Sequence, residues 1–174
     1  MIYSVCRHPR SRGFTLIELM ICISIILILA GLGANGIPGF LQRKAESTAI
    51  DTLFHLVAFA RNKAIREHKV LTLCASDDDV HCTGEWNRKI MVFEDDNQNA
   101  QREQREALLR IVTMRDNIPC LSWNASLHRN YLRFKPDGTS AGTAGNFHFC
   151  QPDKALVRKK LVISLTGRTA MRNL

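Results

Sequence analysis

Acidic side chains are in short supply in this chain. Sixteen Asp and Glu stand against 24 Lys and Arg in 174 residues, a formal charge of +8. No acid precedes Glu18, and none occurs between Lys154 and Leu174. Such an excess suits an anionic partner, either nucleic acid or an anionic membrane, but an exported protein of another kind can carry as much. Five Pro and ten Gly exclude collagen-like and Pro-rich low-complexity classes. With 45% hydrophobic and 23% charged residues, the chain is neither a disordered tail nor a polytopic membrane protein. No C-x-x-C pair occurs, so the commonest zinc and redox spacing is missing. The length fits one domain of ordinary size.

What is present is concentrated first at the N-terminus. Residues 1–13 carry Arg7, His8, Arg10 and Arg12 without an acid. Phe14 to Ala34 follows, 21 residues with the single charge of Glu18. Roughly 20 apolar residues cross a bilayer core as a helix, and a basic flank keeps its side in the cytoplasm. The run exceeds the apolar stretch of a secretory signal, and no small-x-small site closes it. A carboxylate near the start of a span is costly and normally has a partner. A snorkelling, interfacial Glu is the plain alternative.

Arg12-Gly13-Phe14-Thr15-Leu16-Ile17-Glu18-Leu19-Met20-Ile21 resembles the class III signal of type IV pilins and type II secretion pseudopilins. The resemblance implies cleavage by a prepilin peptidase between Gly13 and Phe14, and N-methylation of Phe14. It also implies that Glu18 meets the N-terminal amine of a neighbouring subunit during assembly. A buried carboxylate and ammonium are each costly alone and tolerable as a pair, which suits a register device between subunits. Where the family usually carries a helix-bending Pro, this chain has Asn35, with Pro38 three residues on. Gly31, Gly33, Gly36, Pro38 and Gly39 are expected to loosen the helix there.

From Leu41 to His68 the pattern is helical. Ile50, Leu53, Phe54, Val57, Ala60, Ala64 and Ile65 form an apolar stripe. Arg43, Lys44, Glu46, Asp51, Arg61, Asn62, Arg66 and Glu67 fill the other face. After Lys69 the period becomes that of strands, at 70–75, 89–94, 107–115, 120–123, 131–135, 147–150 and 157–165. Asn/Asp/Gly-rich turns at 77–79, 95–97, 136–138 and 141–146 separate them. A long helix followed by an antiparallel sheet predicts an α+β head. Cys74, Cys82, Trp86, Val92-Phe93-Glu94-Asp95, Phe134-Lys135-Pro136-Asp137-Gly138, Phe149-Cys150 and Val162-Ile163-Ser164-Leu165-Thr166-Gly167-Arg168 are similar to the GspH/FimT branch of this superfamily. That branch comprises minor pseudopilins of type II secretion and minor pilins of type IV pili.

Six cysteines occur. Cys6 lies in the leader, and Cys22 reads as a small apolar packing residue in the membrane run. Cys74, Cys82, Cys120 and Cys150 remain in the head, where an even number in an oxidising compartment suggests two disulfides. Three pairings are open; Cys74–Cys82, closing the loop of Asp77, Asp78 and Asp79, and Cys120–Cys150 are the ones expected. Zinc, with His81 and His148 beside Cys82 and Cys150, is the rival. Asp95, Asn97, Asn99 and Glu106 fall at calcium-loop spacing, but Ala100 stands where that loop needs Gly, so a solvated turn is expected.

The basic end holds Lys154, Arg158, Lys159, Lys160, Arg168 and Arg172. FimT-type members bind DNA through a C-terminal Gly-Arg-x-Arg motif; here Gly167-Arg168 matches and Ala170 replaces the second Arg. On a strand, residues 168, 170 and 172 share a face, so Arg172 can substitute. Lys159, Lys160, Arg168 and Arg172 are therefore the candidate DNA contacts, against a solvated edge that discourages strand aggregation. The tail has no aromatic residue for base stacking.

The expectation is a pilin-like α+β chain. It has a leader at 1–13, a membrane helix at 14–34, an amphipathic continuation at 35–68 and a β-rich periplasmic head at 69–174. No active site, cofactor or metal is expected. Expected partners are other pilins or pseudopilins, the prepilin peptidase, the inner membrane and, in one reading, double-stranded DNA. The function is protein secretion by a type II pseudopilus or, alternatively, DNA uptake by a type IV pilus.

Overall fold

The computed structural model describes residues 14–33, 37–114, 121–149 and 159–173. It divides into two compact units, Met1–Pro38 and Gly39–Leu174.

In the first unit, α1 spans Leu16–Gly33. Thr15 caps it. Its hydroxyl accepts the Glu18 N–H at 3.3 Å, and the Glu18 carboxylate accepts the Thr15 N–H at 2.9 Å. This reciprocal pair is a capping box, satisfying two backbone donors that a helix start leaves open. Beyond it, Leu19, Met20, Ile21, Ile23, Ile25, Ile26, Leu27, Ile28 and Leu29 are all exposed. A helix apolar on every side needs a nonaqueous or packed surrounding. Among the described residues no helix is long and apolar enough to cross a membrane. The expected run of 14–34 ends outside the described residues; of the segment expected to loosen, Gly31 and Gly33 are helical in α1, Pro38 and Gly39 are helical in the next helix, and Gly36 lies outside the described residues.

α2 spans Ile37–Glu67, all but its first two residues in the second unit, and begins ahead of Leu41, where the helical pattern starts in the sequence. Pro38 falls in its first turn, where the missing N–H removes no helical bond. The helix ends one residue before His68. His68 takes a left-handed φ of 52°, and the Lys69 N–H reaches back to the Ala64 carbonyl at 3.2 Å. This is the Schellman stop, here built on His rather than the usual Gly. Ala49, Ile50, Leu53, Leu56, Val57, Ala60 and Ala64 form its buried stripe. Glu46, expected on the solvated face, is instead buried, and accepts the Gln42 amide at 3.1 Å.

Among the described residues eight strands follow: β1 Leu71–Ala75, β2 Lys89–Glu94, β3 Leu108–Thr113, β4 Leu121–Ala125, β5 Tyr131–Phe134, β6 Gly145–Phe149, β7 Lys159–Ile163 and β8 Thr169–Asn173. The single expected sheet is two antiparallel four-stranded sheets, ordered β3-β2-β1-β5 and β4-β6-β7-β8. Strand β8 was not among the expected strands, because Thr-Ala-Met-Arg-Asn lacks a clean apolar alternation. The register of the first sheet puts Leu73, Val92, Leu132 and Arg110 on one face. Arg110 lies 4.6 Å over the Phe59 ring of α2, so that face is the one turned to the helix. The core is one cluster joining α2 to both sheets. In it, Phe147 lies 4.7 Å from Trp86 and 4.5 Å from Trp123.

Candidate functional site

Three parts of the chain carry chemistry beyond packing: the start of α1, the loops at the top of the first sheet, and the outer face of the second.

At the start of α1, Glu18 is the one charge on an apolar helix, and its carboxylate holds both the N–H and the hydroxyl of Thr15. Phe14 is exposed beside it. Gly13 lies outside the described residues.

In the first sheet, Cys74 of β1 is bonded to Cys82, closing the loop of Asp77, Asp78 and Asp79. Cys82 is therefore no zinc ligand. Cys120 and Cys150, the other expected pair, lie outside the described residues. Within the loop, Asp78 accepts the His81 imidazole at 2.6 Å and the backbone N–H groups of His81 and Val80. These bonds, the imidazole first, hold its carboxyl well below the usual carboxylate range. Asp79 pairs with Lys89 at 2.9 Å.

The loop at calcium spacing is a turn held by its own donors. Asp95 does not face a cation site. It is buried, and its carboxylate accepts Arg133 Nε at 3.0 Å, Arg133 Nη2 at 2.6 Å and the Thr72 hydroxyl. Glu106 accepts the backbone N–H of Asp96 and of Glu103, both at 2.9 Å. Asn97 and Asn99 donate to Glu103. Ala100 carries the left-handed φ of 60° that Gly would take more easily. Among the described residues no cluster of three or more His, Cys, Asp or Glu suits a metal. The Arg133–Asp95 pair escaped the sequence reading, although an Arg between Leu132 and Phe134 on a buried strand was the available signal.

The second sheet carries the basic residues. A tight turn joins β7 to β8: the Gly167 N–H donates to Ser164 O, and the Ser164 N–H to Arg168 O, both at 2.9 Å. Gly167 takes a φ of 75°. A Cβ there would lie 2.0 Å from the Gly138 carbonyl oxygen and 2.8 Å from Arg61 Nε. Arg61 of α2, expected on a solvated face, donates from Nε to that same carbonyl at 3.0 Å. The Pro136-Asp137-Gly138 and Gly167-Arg168 motifs thus meet under α2.

Strand pairing sets Lys160 directly opposite Arg172, and Val162 opposite Ala170. These side chains face away from Leu161 and Ile163, which are buried. Arg168 continues the same column by alternation and is exposed. Lys159 pairs with Asn173 and falls on the other face. Of the four candidate DNA contacts, three therefore share a face and one does not.

The family model described as type II transport protein GspH matches residues 49–167, and the prokaryotic N-terminal methylation motif matches residues 8–34. The type IV minor pilin FimU of Pseudomonas aeruginosa shares the fold at a TM-score of 0.55 and 21% identity, over 76% of this chain and 92% of that one. The minor pseudopilin EpsH of the Vibrio cholerae type 2 secretion system gives 0.47 and 8%, over 74% and 96%. The type IV major pilin protein PilA of Myxococcus xanthus is 49% identical over 51 residues, 29% of this chain. The chain spans only 22% of the length of that relative. An N-terminal methylation motif, an apolar helix with Glu18 in its first turn and an α+β head define a pilin-like subunit. Within that class, the chain belongs to the GspH family.

Proposed function

We propose that this chain is a minor subunit of a type IV filament machine and serves the pseudopilus of type II secretion. The observation that carries this reading is the lone Glu18 carboxylate at the head of a uniformly apolar, exposed helix. The GspH match supports the secretion assignment. In this reading a prepilin peptidase cuts between Gly13 and Phe14 and Phe14 is N-methylated. The helix anchors the chain in the bacterial inner membrane, with its N-terminus cytoplasmic and its head periplasmic. On assembly, Glu18 leaves Thr15 and pairs with the amine of a neighbouring pilin or pseudopilin, each charge relieving the cost of burying the other. Glu18→Ala is expected to be processed normally. Its incorporation into sheared filaments, measured by immunoblot, should fall about tenfold or more, the ratio for a loss of roughly 1.4 kcal/mol or more. Wild-type incorporation would remove the register role from Glu18.

A second reading has its own observation: Lys160, Arg172 and Arg168 share one face of a tail without acids. Those cations suit the phosphates of double-stranded DNA, as in uptake by a type IV pilus. Duplex binding by the full chain in detergent should then weaken with salt. Arg168→Gln should lower the log–log salt slope by about one. Absence of binding at low salt leaves secretion as the reading.

A further inference from the structure

Among the described residues, strand β8 is the outer strand of its sheet, with β7 on one side only. The Ser164 N–H to Arg168 O bond makes 164:168 a hydrogen-bonded pair. Alternation along an antiparallel ladder then makes 162:170 and 160:172 hydrogen-bonded pairs as well. The N–H and C=O groups of Thr169, Met171 and Asn173 therefore point away from β7, along an edge that no other described strand occupies.

The side chains on this edge are arranged unevenly. Arg168 and Arg172 flank Ala170 on the outer face, with Lys160 beside Arg172. On the inner face stands Met171, 39% exposed although its cross-strand neighbour Leu161 is fully buried. An edge built only to repel other strands places charge at its centre or pointing inward. Here the centre is a small residue and an uncovered methionine, and the charges stand at the ends.

We propose that β8 is an acceptor strand for an extended segment of another protein, one alternating acidic and apolar residues, which adds antiparallel to the sheet. The backbone of Thr169, Met171 and Asn173 would bond the incoming strand. Its acidic side chains would lie outside against Arg168 and Arg172, and its apolar ones inside, extending the core past Met171. Strand addition of this kind draws affinity from the ladder and specificity from alternate side chains. Pairing β8 with a second copy about Ala170 would set Arg168 opposite Arg172, and like charges directly opposite are unfavourable, whereas acidic side chains on the incoming strand meet both arginines. The inference goes beyond filament membership and does not depend on the processing of Gly13 or the role of Glu18.

The test uses the full chain in detergent micelles and a short, capped, fluorescein-labelled peptide alternating Glu and Val. Binding is read by fluorescence anisotropy, and the amides of Thr169, Met171 and Asn173 by hydrogen exchange. The Glu/Val peptide should bind and slow exchange at those three amides. A Lys/Val peptide, and a Glu/Val peptide N-methylated on its pairing edge, should each bind about tenfold more weakly or not at all. Met171→Pro removes one outward N–H without touching a β7 bond, as Pro on an edge can, and should weaken binding likewise. Equal binding of the N-methylated peptide would reduce the edge to a patch of charge and overturn the proposal. Duplex DNA binding without any Glu/Val peptide binding would also overturn it, in favour of nucleic acid.

Discussion

Replacing Asp95 by Ala should destabilise the head by about 3–5 kcal/mol, because it leaves the guanidinium of Arg133 buried without its counter-charge. Arg133 is 5% exposed and Asp95 not at all, so water cannot take over. The Ala100 N–H and the Thr72 hydroxyl lose an acceptor at the same time. The loop of residues 95–106 is anchored to β1 and β5 through this one carboxylate, so its order should suffer with the stability. For a chain of this size the loss corresponds to a fall in Tm on the order of 10 °C. Urea unfolding with the disulfide intact measures it. The double variant Asp95→Leu/Arg133→Met should recover most of the loss, since two apolar groups carry no unpaired charge. A single variant within about 0.5 kcal/mol of wild type would show that Arg133 reaches another partner.

The second large effect is expected at Gly167. Its φ of 75° costs an L-residue about 1–2 kcal/mol. The added methyl would also press on the Gly138 carbonyl and on Arg61, and overpacking of that kind costs about 1–3 kcal/mol. Gly167→Ala should therefore lower stability by roughly 2–5 kcal/mol. Arg168→Ala, one residue on and exposed, should stay within about 0.5 kcal/mol. Thermal unfolding of the two variants side by side checks this. The contrast separates the two halves of the Gly-Arg motif: the glycine shapes the junction of two turns with α2, and the arginine is free for a partner. Equal losses would mean that Arg168 is also structural.

Elements governed by local rules were legible in the sequence. The apolar stripe of α2 was readable from its spacing, and Ile50, Leu53, Val57, Ala60 and Ala64 are buried as that spacing requires. Cys74 and Cys82 are bonded across the loop of Asp77, Asp78 and Asp79, the pairing expected for them. The division into two sheets was not legible, because it depends on which strands pair across tens of residues. Strand β8 was missed because an exposed edge strand needs no apolar alternation. Lys159 and Lys160 looked equivalent as neighbours in a basic run; a period of two puts them on opposite faces. Glu46 and Arg61 looked solvated by charge alone. Glu46 is buried and Arg61 half-buried against the Gly138 carbonyl, which periodicity does not reveal.

The order in which the chain visits its two sheets has a consequence for how the head comes apart. After β1, β2 and β3 build the first sheet, β4 crosses to the second, β5 returns to the first, and β6 to β8 complete the second. Neither sheet is made from a continuous piece of chain. Peeling one away pulls a strand out of the other, so the head should lose its structure in one cooperative step with no half-folded stage in which a single sheet survives. The same interleaving raises the mean sequence distance between paired residues, which slows folding relative to a meander of equal size.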